Sequence, residues 1–374
     1  MQSLNNNTQA FLELVRAGLW EKEARLSQFK DIDFSRILSY AEEQSVVGLV
    51  AAGLEHVKDV KIPQEYALKF VGQALQIEQR NLLMNSFIGD IYGKMQKIGL
   101  YGILVKGQGI AQCYERPLWR TSGDIDLLFN DDSYDRAKEW FCYLGQINEE
   151  ENDYRKRINF HIDEWEVELH GTMRGELGVK IDKWIDVAQR NVFYGGEVRS
   201  WNNGKVTVFL PSSDNDIIFI FTHILQHFFR GGIGLRQICD WSRLMWTYRD
   251  EIDWRMLEKQ IRKMGVLSEW KAFGALAVEN LGLPIEANHL YSTDKVWKRK
   301  TARIIDYVLE VGNFGHNRDR SYFFKHGVTI RKIISFLRLF KEGSTLFLIF
   351  PLDTLKTISS IFVRGTVQYL KGNR

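Results

Sequence analysis

Apolar residues recur at helical spacing from the start of the chain: Phe11, Leu12, Val15 and Leu19 fall on one helix face. Pro63 suits a first helical turn, no further proline interrupts the run to Ile98, and Gly99 marks a stop. In that long helix Phe70, Leu75, Ile77, Leu82, Leu83, Phe87, Ile88 and Ile91 are expected to form the buried stripe. Residues 1–98 thus read as a helical N-terminal segment that packs onto the rest of the chain. The pattern changes at Tyr101 to Val105, a short apolar strand ended by Lys106-Gly107-Gln108-Gly109, with a short helix expected over Ile110 to Tyr114. Asp124 to Phe129 reads as a second strand, and Asn130-Asp131-Asp132-Ser133 caps a helix over Tyr134 to Leu144. Two strands are expected over Arg155 to Ile162 and Trp165 to His170, and Asn202-Asn203-Gly204 marks a hairpin within Val198 to Leu210.

After Pro211 the pattern is helical again, over Asp214 to Phe229, Leu235 to Tyr248, Trp254 to Met264 and Leu267 to Leu281. A strand-rich middle between helical ends predicts an α+β fold. The segments expected are 1–98 helical, 99–211 the sheet core, 212–315 a helical domain and 316–374 a basic tail. Within the tail, Ile330, Ile333, Ile334, Leu337 and Phe340 share a face, with Arg331, Lys332, Arg338 and Lys341 on or near the other, as in a basic amphipathic helix.

Charge sharpens the tail. The chain carries +3 overall, whereas from Arg320 onward ten Lys/Arg face two acids, 10 − 2 = +8, leaving 3 − 8 = −5 for the rest. Such a tail suits an anionic membrane surface or RNA, or else packs on the protein with its basic side in water. With 374 residues, 45% hydrophobic and 26% charged, the chain has the composition of a globular protein of more than one packed unit. No apolar run approaches the roughly 20 residues of a spanning helix. The N-terminus lacks the form of a signal peptide, and Cys113, Cys142 and Cys239 are few and scattered. A cytoplasmic location is expected.

The chemistry concentrates in Arg120-Thr121-Ser122-Gly123-Asp124-Ile125-Asp126-Leu127-Leu128. In a strand Asp124 and Asp126 point one way and Ile125 and Leu127 the other. Adjacent acids on a buried strand repel and lose hydration; a divalent cation removes that cost. Glu166, Glu168 and His170 alternate on a later strand and offer a further carboxylate. A site of this kind holds two Mg²⁺ ions about 4 Å apart for phosphoryl transfer. Gly107 suits close approach of backbone N–H groups to phosphate, and Lys106 or Arg120 suits pairing with its oxygens. Arg120 is equally suited to an ion pair with Asp124 or Asp126. Downstream, His223 and His227 share a helix face, where they serve either as site groups or as satisfied core residues. Arg230 and Arg236 are candidate anion contacts, and Asp240 is spaced to pair with Arg236 at i, i+4.

Lys106-Gly107, Arg120, Gly123-Asp124-Ile125-Asp126 and Glu168-Leu169-His170 resemble the uncharacterised bacterial nucleotidyltransferase family of the DNA polymerase β-like superfamily. The resemblance spans mainly residues 99–171. It implies a small mixed-sheet core, Asp124, Asp126 and Glu168 as catalytic metal ligands for Mg²⁺ or Mn²⁺, and Lys106, Gly107, Gln108, Arg120 and Gly123 on the nucleotide side. Gln108 stands where the family has Ser, so the hydroxyl contact to the terminal phosphate is absent. The function implied is transfer of a nucleoside monophosphate from an NTP to an acceptor hydroxyl or phosphate, with pyrophosphate release. The alternatives are an inactive descendant that binds a nucleotide or partner, and a toxin-like transferase modifying tRNA or protein.

Overall fold

The computed structural model describes residues 5–152, 156–318, 327–357 and 359. Helices α1 (Asn6–Trp20), α2 (Phe34–Glu43), α3 (Val47–Glu55) and α4 (Gln64–Lys97) lead into β1 (Ile103–Val105) and the short α5 (Gly107–Ala111). Then come β2 (Ile125–Leu128), α6 (Asp131–Cys142), β3 (Gln146–Asn152), β4 (Arg157–Ile162), β5 (Trp165–His170), α7 (Val179–Tyr194), β6 (Val198–Asn203) and β7 (Val206–Pro211). The remaining helices are α8 (Ser213–Arg230), α9 (Leu235–Thr247), α10 (Trp254–Met264), α11 (Leu267–Glu279), α12 (Lys295–Val311) and α13 (Val328–Phe347). The α+β class expected from the pattern holds.

The seven strands form one mixed sheet in the order β3-β4-β5-β2-β1-β7-β6. β2 runs parallel to β5 and antiparallel to β1. Period-2 alternation gives the sheet two different faces. Leu104, Ile125, Leu127, Val167 and Leu169 pack on α4 and α6 through Met84, Ile88, Tyr92, Ala137 and Phe141. Ile103, Val105 and Leu128 face the other way and join the larger core built by α1 to α3 and α7 to α12. Asp126, Glu168 and His170 alternate with the first set, so they share this second face.

Several expectations are corrected. Phe70, Ile88 and Ile91 are buried, but Leu75, Leu82 and Leu83 of α4 are about half exposed; Ala74, Asn81, Met84 and Met95 complete the buried stripe instead. Strand β3 and helix α7 were not expected within the middle segment. The short helix after β1 starts earlier, at Gly107. Helix α13 covers the predicted amphipathic stretch, but most side chains that carry that pattern, Arg331, Lys332, Ile333, Leu337 and Phe340, lie outside the described residues. Leu346, Ile349 and Phe350 just beyond are buried in the main core. Among the described residues no helix is long and apolar enough to cross a membrane.

The N-terminal helices are tied directly to the later ones. Gln44 donates to the Val308 carbonyl at 3.1 Å and accepts from the Leu235 amide at 3.0 Å. Gly48 of α3 lies under the Trp119 carbonyl, where an added Cβ would sit 2.0 Å from that oxygen. This close approach fixes the 117–119 turn that leads into β2.

Candidate functional site

Register places the acids. Val105 at the end of β1 lies opposite Asp126, and Asp126 lies opposite Glu168. Lys106 comes next at φ 60°, ψ −148° and Gly107 at φ 40°, a sharp left-handed exit that side chains seldom adopt. It sets Lys106 Nζ 2.8 Å from Asp126 Oδ1. His170 Nε2 lies 2.8 Å from the same oxygen and 3.4 Å from Glu168 Oε2. Arg157, on the facing side of β4, brings Nε to 2.6 Å from Glu168 Oε1.

Asp126 and Glu168 are buried, whereas Asp124, just before β2, opens to a cleft walled by protein. The neighbouring Asp126 charge, then loss of hydration, raises the Asp124 carboxyl against the pull of Lys106 and Arg236. Burial opposes charge on Glu168, yet His170, Lys106 and Arg157 together hold it well below the usual carboxylate range. Burial likewise opposes the Lys106 and His170 charges, and the surrounding acids outweigh it, so both are raised. His223 goes the other way: burial first, then Lys106, His227, His170 and Arg236, push it well below its ordinary value, leaving a neutral imidazole.

Among the described residues Asp126, Glu168 and His170 are the only three His, Cys, Asp or Glu groups whose donor atoms lie within 4.8 Å of one another. The donor chemistry fits a hard divalent cation, since carboxylate oxygens predominate, and Asp124 lines the same cleft outside that group. Lys106, His170 and Arg157 pair directly with Asp126 and Glu168.

The cleft wall brings together Lys106, Gly107, Arg120, Gly123, Asp124, Asp126, Glu168, His223, His227 and Arg236. Gln108 and Arg230 are not on it. Gln108 is buried and donates to Asn81 Oδ1 at 2.7 Å and Ser122 Oγ at 3.1 Å. Arg230 is held by the Glu176 carboxylate and main-chain oxygen. Arg120 forms its ion pair with Asp240 of α9, rather than with Asp124 or Asp126: Nε to Oδ1 is 2.8 Å and Nη2 to Oδ2 is 2.7 Å. Arg236 therefore does not take Asp240 as its hydrogen-bond partner; it donates to the Thr121 carbonyl at 2.7 Å and keeps a buried Nε without a partner. The i, i+4 expectation lost to a bidentate partner supplied by tertiary structure.

Wall residues that escaped the sequence reading include Arg157, Arg174 and Phe314. Arg157 was within reach, because alternation along β4 puts it on the face opposite Ile158 and Phe160, beside Glu168. Arg174 pairs with Asp186 of the unforeseen α7 through bonds of 2.7 and 2.6 Å.

No curated protein and no solved structure matches this chain. A family model described as "uncharacterised nucleotidyltransferase" matches residues 30–282, well over half the chain and the whole of the sheet with its acids. The chain belongs to that uncharacterised nucleotidyltransferase family.

Proposed function

We propose that this protein is a Mg²⁺- or Mn²⁺-dependent transferase that moves a nucleoside monophosphate from an NTP to an acceptor hydroxyl or phosphate. The observation that carries the proposal is the charge layout of one cleft. Asp124, Asp126 and Glu168 stand together, and Lys106, Arg157, Arg174 and Arg236 surround them. Acids at the centre suit divalent cations, and cations at the rim suit triphosphate oxygens. Asp124, Asp126 and Glu168 would hold the metal, which when bound neutralises phosphate charge. Lys106 and Arg236 contact the phosphates; Arg120, locked to Asp240, instead holds residues 120–123 in place before Asp124.

The acceptor oxygen attacks the α-phosphorus, the bond from that phosphorus to the bridging oxygen breaks, and pyrophosphate leaves with the bonding electrons. The acceptor proton goes to a base on the wall. The partners of Glu168 depress its proton affinity, which makes it a better ligand than base. Burial and the nearby cations lower the proton affinity of His223 as well, so neither group is singled out as the base. The test is pyrophosphate release from each NTP with Mg²⁺ or Mn²⁺, comparing wild type with Asp124→Ala and Asp126→Ala. Metal-dependent release lost in both variants supports the proposal; release that persists in both sinks it.

A second reading, a nucleotide- or partner-binding protein without turnover, has one observation in its favour. Lys106, His170 and Arg157 pair directly with the buried acids. Calorimetry showing nucleotide binding independent of metal, with no pyrophosphate release, would favour it.

A further inference from the structure

Phe314 is a bulky aromatic held where such residues seldom sit. Its backbone is left-handed, φ 50° and ψ 30°, between Gly312 and Gly315, both at φ 73°. Strain of this kind persists only where the surroundings over-determine it. Here they do. Asn313 donates to Ser45 Oγ at 2.8 Å and accepts from Gln237 Nε2 at 2.9 Å. Arg318 reaches the Gly231 carbonyl at 2.9 Å. The loop Gly231-Gly232-Ile233-Gly234 makes room for the turn: a Cβ on Gly232 would meet Val311 Cγ1 at 2.4 Å, and one on Gly234 would meet Asn313 Cβ at 2.8 Å. The chain therefore uses two glycines and three anchoring hydrogen bonds to fix a turn whose apex side chain is not buried.

That side chain stays 42% exposed. It lines the same cleft as Asp124, Asp126 and Arg236, against His227. The His227 ring meets it edge to face at 4.7 Å, and His223 continues the row at 4.4 Å from His227. An aromatic surface kept partly open in a polar cleft has a natural use as a stacking platform.

We propose that Phe314 is the stacking wall for the base of the donor nucleotide, with His227 bracing its ring. This rests on the nucleotide-site reading above and deepens it. The base is placed on the α8 side of the cleft while the triphosphate lies over the Asp124–Asp126 strand. The glycine loop leaves the space in which a residue after α12 completes a site built on the sheet.

The test is calorimetric titration of Mg²⁺ with each of ATP, GTP, CTP and UTP, and separately with inorganic tripolyphosphate, into three proteins: wild type, Phe314→Asn and Phe314→Trp. Asn tolerates the left-handed backbone, so the ring is removed without added strain. The expected result is NTP affinity about tenfold lower or more in Phe314→Asn, the scale of one lost base stack. Tripolyphosphate affinity stays unchanged, and Phe314→Trp keeps NTP affinity. Equal loss for NTP and tripolyphosphate in Phe314→Asn, or no loss of NTP affinity, overturns the stacking role. So does a wild type that binds tripolyphosphate as tightly as any NTP. A wild type that binds neither defeats the nucleotide-site reading itself, and the stacking role with it.

Discussion

Arg120 and Asp240, far apart in sequence, form a buried bidentate pair, 5% and 4% exposed. Tyr114 donates to the same Asp240 Oδ1 at 2.7 Å, and Arg120 Nη1 also reaches Ser122 Oγ at 3.0 Å. Burial alone would lower the Arg120 charge, but Asp240 raises it, so the guanidinium stays ionised. Removing either partner strands a desolvated charge. Arg120→Met or Asp240→Leu should each cost about 3–5 kcal/mol of unfolding free energy, the range for broken buried pairs. The double variant Arg120→Met/Asp240→Leu leaves no stranded charge and should cost several kcal/mol less than the sum of the single changes. Urea unfolding followed by circular dichroism measures all four proteins. Single variants costing under about 1 kcal/mol, or a double variant that is simply additive, would refute the clamp. An Arg120→Met protein of wild-type stability with weakened NTP binding would make Arg120 the phosphate ligand that its sequence position suggests.

Other contacts carry further predictions. Lys106→Met removes the cation 2.8 Å from Asp126 and should lower kcat by about 10²–10³-fold, the scale of losing one charge-stabilising donor; steady-state pyrophosphate release measures it, and an unchanged kcat counts against the role. Burial and then the Asp353 carboxyl raise Glu269 to about 8 from an ordinary 4.5. Between those values the folded state holds a proton that the unfolded chain has released, so this group's contribution to stability falls as pH rises through that window. Glu269→Gln should flatten that slope, read from urea midpoints across the same pH range; an unaltered slope contradicts the shift. Gly48→Ala drives a methyl into the Trp119 carbonyl and should destabilise by about 1–3 kcal/mol, seen as a lower Tm.

The strand that carries Asp126, with Asp124 just before it, was legible because its signals are local. Asp124-Ile125-Asp126 within an apolar run announces a strand with two like-facing acids, alternation puts Glu166, Glu168 and His170 on one face, and the Glu-Leu-His pattern singles out Glu168. Strand β3 was hidden because Gln146–Asn152 reads QINEEEN, an edge strand whose acids carry no apolar alternation. Leu75, Leu82 and Leu83 misled the α4 stripe, since an apolar residue can remain on a helix surface while the smaller Ala74 and Asn81 face the packed side. The pairing of Asp240 could not be read locally: the helix rule offers Arg236 at i, i+4, and only folding brings Arg120 into a better geometry. Phe314 was invisible for the same reason, because its role depends on where the turn after α12 lands relative to the sheet.

The central claim is that Asp124, Asp126 and Glu168 form a divalent-cation site for a nucleoside triphosphate. Its most direct measurement is Mn²⁺ binding, by paramagnetic resonance, with and without a non-hydrolysable NTP, in wild type and in Asp126→Asn. The expected result is Mn²⁺ binding in wild type that tightens with the nucleotide and is lost in Asp126→Asn. Wild-type protein that leaves Mn²⁺ free even with the nucleotide present, or Asp126→Asn that binds it equally well, would contradict the claim.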